Sequence, residues 1–163
     1  MSTRPRIHIR LAGQAVQIAF GQRIAEHLRP PGTFYLQGDL GTGKTTLVRG
    51  VLRGLGHTGP VRSPTYTLLE PYPLDAMRLY HLDLYRLGDP EELEYLGLRD
   101  LLDDRSLLLV EWPERGRGVL PAPDATIRIE HAEEARRLDL TADSPGGSEL
   151  VSRLREYRGN LEH

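Results

Sequence analysis

The sequence contains no cysteine, which excludes disulfides, thiolate nucleophiles and cysteine-ligated zinc. Lysine is almost missing too: of 21 basic residues, every one but Lys44 is arginine. Aromatic residues make up 6%, with a single tryptophan, Trp112. No apolar run approaches the ~18 residues that suggest a membrane-spanning helix. The opening MSTRPRIHIRLAG has no apolar stretch of secretory-signal length. The formal net charge of -2 favours neither sign, so neither DNA nor a membrane surface is demanded as a partner. The six histidines show no metal-ligand spacing, and no structural metal is expected. Together these absences predict a cytoplasmic protein.

What remains is ordinary globular material: 163 residues, 39% hydrophobic and 27% charged. A chain of this length buries roughly 70% of its unfolded surface in one core. Residues 1–160 read as a single domain, and Leu161-Glu162-His163 resembles a cloning remnant as much as native sequence.

RIHIRL (6–11) reads as a strand, followed by a helix with Val16, Ile18, Ala19, Ile24 and Leu28 as its apolar side. After Pro30, Pro31 and Gly32, TFYLQ (33–37) reads as a second strand. A second helix presents Leu47, Val51, Leu52 and Leu55 and stops at Gly56. YTLLEPYPL and MRLYHLDLYRL read as neighbouring strands turned around 73–76. Asp89-Pro90-Glu91-Glu92 starts a helix, because the aspartate can cap and the proline needs no donor there. Leu93, Leu96, Leu98, Leu101 and Leu102 form that helix's apolar side. SLLLVEW (106–112) is a continuous apolar run of buried-strand type. ATIRIEHAE and ARRLDLTAD pair as a hairpin, and SELVSRLREYR closes the chain as a helix. Crossover units mixed with hairpins predict an α/β domain of three layers around a central mixed sheet.

Between the second strand and second helix lies Gly38-Asp39-Leu40-Gly41-Thr42-Gly43-Lys44-Thr45. It matches G-x-x-x-x-G-K-[ST] in full, with strand before and helix after, the context of an NTPase P-loop. Its glycines permit positive φ and close backbone approach to a ligand, its N–H groups form an anion nest, and the helix start adds partial positive charge. Here the lone lysine finds its reason: an ammonium is a compact, rotatable charge that fits between phosphates, where a planar guanidinium does not. Lys44 is expected on the β- and γ-phosphates and the Thr45 hydroxyl on Mg²⁺; residues 38–45 and Thr46 form the nucleotide-binding set.

Such a site needs acidic groups for the metal and for orienting the attacking oxygen. Glu111 ends the run Leu107 to Val110, at the strand edge where open α/β sheets bind ligands. Asp83 sits in LYHLDLYRL, where alternation puts Leu82 and Leu84 on one face and His81, Asp83 and Tyr85 on the other. An ion pair with Arg86 or another arginine is the alternative for Asp83. Ser63, Pro64, Thr65 and Tyr66 read either as a switch-like loop or as a plain loop. Trp112 reads as a rim aromatic, His81 as a packed or surface histidine. Two alternatives share the loop: a small-molecule kinase, which would need a lid for which Arg115 and Arg117 are available, and a nucleotide-dependent binding module with negligible catalysis. A Ras-like GTPase would need an N-K-x-D motif and so a second lysine, which is absent.

GDLGTGKTT, SPTYTLLE, YHLDLYRL, the leucine segment after Asp89 and LLVEWPERG occur in this order, and together the chain resembles the bacterial TsaE (YjeE) ATPases over roughly Ile9 to Gly116. The resemblance implies an accessory ATPase of tRNA threonylcarbamoyladenosine synthesis that uses ATP/ADP and Mg²⁺. It would act with TsaD and TsaB, resetting that complex between turnovers, with tRNA engaged through the complex. It also implies Thr45 as metal ligand, Asp83 and Glu111 as the catalytic groups serving metal and water, and residues 63–66 as a switch-like loop. Which carboxylate acts as base stays open, as does direct tRNA contact through the arginines of 153–158.

Overall fold

The computed structural model describes residues 4–155; the end of the expected last helix and the residues 161–163 lie outside that range. The elements are β1 (Arg6–Leu11), α1 (Gln14–Glu26), β2 (Gly32–Gln37), α2 (Lys44–Gly54), β3 (Leu69–Pro73) and β4 (Arg78–Asp83). They continue with α3 (Glu92–Tyr95), α4 (Leu98–Leu101), β5 (Ser106–Glu111), β6 (Ala125–Ala132), β7 (Ala135–Ala142) and α5 (Pro145–Arg155). A 3-10 turn at Pro113–Gly116 follows β5.

The strands form one seven-stranded mixed sheet in the order β1-β7-β6-β2-β5-β4-β3. β2 runs parallel to β5 and β6, and β4 parallel to β5. β1–β7, β6–β7 and β3–β4 are antiparallel. The fold is therefore α/β, as the alternation of crossovers and hairpins predicts. Because β2, β5 and β4 point the same way, Gln37, Glu111 and Asp83 finish at the same edge of the sheet.

All six residues of β5 are buried, as a strand covered on both faces requires. Its alternation divides the core in two. Leu107 and Leu109 join the cluster with Phe20, Ile24, Leu47, Val51, Leu150 and Leu154 of α1, α2 and α5. Leu108 and Val110 join Tyr80, Leu82, Leu84, Leu93 and Leu98 on the opposite face. His81 and Asp83 share the parity of Leu79, which lies in the first cluster. The sheet pleat thus sends the polar side chains of β4 toward α2, the helix that the glycine loop opens.

Two helices differ from expectation. α1 buries Gln17, Phe20, Gly21, Ile24 and Ala25, whereas Ala19 is exposed and Val16 and Ile18 are half-buried. The face is set by backbone contact: a Cβ on Gly21 would lie 2.6 Å from the Leu47 carbonyl oxygen, and one on Gly50 2.3 Å from that of Ile18. The helices cross where neither has a side chain, and the rest of α1 follows that rotation. The segment after Asp89 forms two four-residue helices, α3 and α4, rather than one. Gly97, at φ 71°, breaks them, and the break leaves Leu96 exposed while Leu93 and Leu98 stay buried. The start matches expectation, with the Glu91 N–H donating to Asp89 Oδ1 at 2.9 Å.

Candidate functional site

α2 begins at Lys44 with Gly43 as its cap, at φ 101°, a left-handed conformation that glycine adopts without a Cβ penalty. A side chain there would also meet Gln17, whose Nε2 a Cβ would approach to 2.3 Å. Gln17 is buried and donates from Nε2 to the Thr42 carbonyl at 3.1 Å. Inside the loop the Thr42 hydroxyl donates to the Asp39 carbonyl at 2.9 Å, and Arg136 Nη2 donates to that of Gly41 at 3.4 Å. With their carbonyls engaged in this way, loop residues are held for the N–H groups to act as donors to an anion.

Lys44 is 5% exposed. Its Nζ donates to the Gly38 carbonyl at 2.5 Å and lies 3.9 Å from the centre of the Trp112 ring, within cation–π range. Burial pushes its pKa below the ordinary lysine value, while the carboxylates of Glu111, Asp83, Glu114 and Asp39 pull the other way. Trp112 is accordingly more than a rim aromatic. Its φ of 57° is left-handed, an unusual state for a bulky residue. That turn directs the indole over Lys44 and against the Tyr85 ring, 5.1 Å between centroids.

Thr45 Oγ1 donates to Glu111 Oε2 at 3.4 Å, so the loop threonine and the strand-end glutamate meet. Glu111 is 3% exposed and pairs in register with Asp83 on β4. Asp83 forms no arginine ion pair among the described residues. It accepts from Ser63 Oγ at 3.4 Å, Thr65 Oγ1 at 3.3 Å and the Tyr85 N–H at 3.1 Å. Arg86 turns instead to Tyr66, over whose ring it lies at 4.5 Å. The 63–66 segment is thereby tied to the site through two hydroxyls, with Pro64 buried and Tyr66 81% exposed.

These groups line one cleft of about 490 Å³, which includes Gly41, Lys44, Thr45, Thr46, Ser63, Thr65, Asp83, Glu111 and Trp112. Gly38 and Asp39 border the adjoining hollow beside β6. Another cleft of about 430 Å³ lies at the start of β2, where Asp124 is already engaged by the Thr33 N–H and the Ser144 hydroxyl.

The donor chemistry suits a hard divalent cation: one hydroxyl and two carboxylates, all oxygen. Among the described residues no group of three or more histidine, cysteine, aspartate or glutamate side chains could hold a metal by itself. Mg²⁺ does not need one, because it usually keeps several waters and takes the rest of its shell from phosphates.

Sequence reasoning missed Gln17, His81, Trp112 and Arg136 as parts of this site. A glutamine buried on an otherwise apolar helix face is a recognisable signal for the first. His81 shares the face of Asp83 by simple alternation. Nothing local to Trp112 or Arg136 announces their contacts, which depend on the turn after β5 and on hairpin placement. Arg115 lies at the mouth, 5.5 Å from the Tyr85 ring.

Comparison with known proteins gives a consistent neighbourhood. The family described as "Threonylcarbamoyl adenosine biosynthesis protein TsaE" matches residues 11–138. The tRNA threonylcarbamoyladenosine biosynthesis protein TsaE of Haemophilus influenzae is 46% identical over 140 residues, covering 83% of this chain and 89% of its own length. That of Bacillus subtilis is 38% identical over 125 residues, 76% of this chain and 78% of its own. The crystal structure of Bacillus subtilis YdiB superposes with a TM-score of 0.82 at 27% identity, covering 96% of this chain and 99% of that one. Among the described residues no helix is long and apolar enough to cross a membrane.

Proposed function

From the premise that the chain belongs to the TsaE family of tRNA threonylcarbamoyladenosine biosynthesis, we propose that it is a P-loop ATPase. In this reading it binds ATP with Mg²⁺ and acts on the TsaD–TsaB complex to support repeated turnover. The observation that carries the proposal is the meeting of loop and strand ends: Thr45 Oγ1 lies 3.4 Å from Glu111 Oε2, with Asp83 in register beside it and Lys44 in the same cleft.

Each residue then has a task. The N–H groups of 39–45 and the α2 start take the phosphate oxygens. Lys44 leaves the Gly38 carbonyl for the β- and γ-phosphates, exchanging a neutral acceptor for a charged one. Thr45 and one of the two carboxylates, Glu111 or Asp83, would hold Mg²⁺, which when bound neutralises phosphate charge. The carboxylate not engaged with the metal orients the attacking water, and Ser63 and Thr65 keep Asp83 in place. A cleft with exposed Leu40 in its lining and exposed Tyr66 next to Thr65 suits completion by a partner protein, so turnover is expected to be slow alone and faster with the complex.

The test is ATP hydrolysis by the protein alone and with TsaD, TsaB and tRNA, for wild type, Lys44→Ala and Glu111→Ala. Stimulation by the partners that disappears in both variants supports the proposal. Hydrolysis by the isolated protein that ignores the partners removes the accessory role, and ATP consumption that requires a small acceptor, with the γ-phosphoryl group transferred to it, points to a kinase.

A further inference from the structure

His81 is completely buried, at 0% exposure, on the β4 face that also carries Asp83, and the reading above gives it no task. Its Nε2 lies 2.6 Å from Glu111 Oε2. Its other ring nitrogen, Nδ1, is buried with no hydrogen-bond partner. A carboxylate oxygen only accepts, so the contact is an Nε2–H donated to Glu111. The Thr45 hydroxyl approaches the same oxygen, Oε2. Two donors therefore converge on one edge of the Glu111 carboxylate, and among the described residues no protein donor reaches Oε1.

A glutamate has three side-chain torsions, and fixing them costs rotamer entropy. Packing alone does not select the orientation of a carboxylate about its last bond, which is broad and two-fold. A directional donor does. A leucine at 81 would fill comparable space in the core without leaving an orphan nitrogen, so the histidine is the more costly choice for packing.

We propose that His81 is the positioning residue of Glu111: its Nε2–H pins Oε2 beside Thr45 and thereby presents Oε1 in a fixed orientation for the hydrolytic reaction. The inference rests on the ATPase reading, and His81 acts through Glu111 without touching nucleotide.

The experiment compares wild type, His81→Leu, His81→Gln and Glu111→Ala in ATP turnover with TsaD, TsaB and tRNA present. ATP affinity is read separately from Trp112 fluorescence, and folding from thermal melting. Loss of a partner that orients a metal-site ligand typically costs about 10- to 100-fold in activity or metal affinity, and His81→Leu is expected to lose kcat on that scale. KM and affinity for ATP stay unchanged, and His81→Gln, whose amide N–H can reach the same oxygen, recovers part of the rate. A structural role alone would lower the melting temperature and leave kcat per folded molecule intact. If His81→Leu turns over like wild type while Glu111→Ala is inactive, the inference falls and the ATPase reading stands. Equal turnover by wild type and Glu111→Ala, zero included, removes both. Proton–nitrogen NMR of the wild-type protein keeps the question open to decision even if both His81 variants fail to fold. A protected imidazole Nε2–H signal that vanishes in Glu111→Ala supports the pairing, and its absence from wild type overturns it.

Discussion

Lys44 sits where its charge is expensive. Desolvation dominates its surroundings and lowers its pKa from the ordinary 10.5, with four carboxylates only partly compensating. The sign follows from proton counting. Between the lowered folded-state pKa and 10.5 the unfolded chain holds more protons, so this residue's contribution makes stability rise with pH in that window. Below the window the full burial cost is present. Lys44→Met keeps the stem and removes the charge. The variant is expected to melt at the same temperature as wild type or higher near neutral pH, with the gap narrowing as pH climbs toward 10.5. A gap that fails to narrow over that window would sink the argument. Sites that work often carry such costs. The motif made Lys44, Thr45 and Gly43 legible in the sequence, because their spacing alone implies the chemistry. It left His81 and Trp112 unread, since their roles come from a neighbouring strand and from a left-handed backbone that no motif encodes.

The crossing of α1 and α2 is the element on which the loop depends. α2 opens at the loop's last glycine, and α1 supplies Gln17, which holds the Thr42 carbonyl. The two helices meet backbone to backbone at Gly21 and Gly50. Gly50→Ala places a methyl against the Ile18 carbonyl, and overpacking of this kind costs about 1–3 kcal/mol. Urea denaturation should show that loss, together with weaker ATP binding because Gln17 moves with its helix. A variant with wild-type stability would mean that the helices can separate freely. The periodicity of apolar residues predicted α1 and placed Ile24 and Leu28 inside, but it put the exposed Ala19 on the apolar side and left out Gln17 and Gly21. Periodicity counts side chains, whereas this face is chosen by two residues that have none. The split of α3 from α4 escaped for a related reason: the leucine spacing is helical throughout, and a single left-handed glycine interrupts it.

Across the molecule the two faces of the sheet are covered unequally. α1, α2 and α5, of 13, 11 and 11 residues, shield one side; the four-residue helices α3 and α4 and the turn after β5 shield much of the other. Helices of so few turns contribute little stability of their own, so the thinner layer should open first. Hydrogen exchange is expected to be faster at the amides of α3 and α4 than at those of α2 by a clear margin. Equal protection would show that the sheet and both layers unfold as one unit. Strand identity and the two hairpins were legible from alternation and turn residues. The order of the strands was not, because parallel neighbours such as β2 and β5 are joined by long excursions that local pattern does not reach. A different property belongs to the chain as a whole. Among 163 residues a single side chain bears a primary amine, and it lies at the mouth of α2. Amine-selective acylation is therefore chemically directed to one interior position, apart from the chain's amino terminus. If the proposed nucleotide site is real, a bound phosphate ester would occupy that same ammonium, and reagent and nucleotide would compete for one nitrogen.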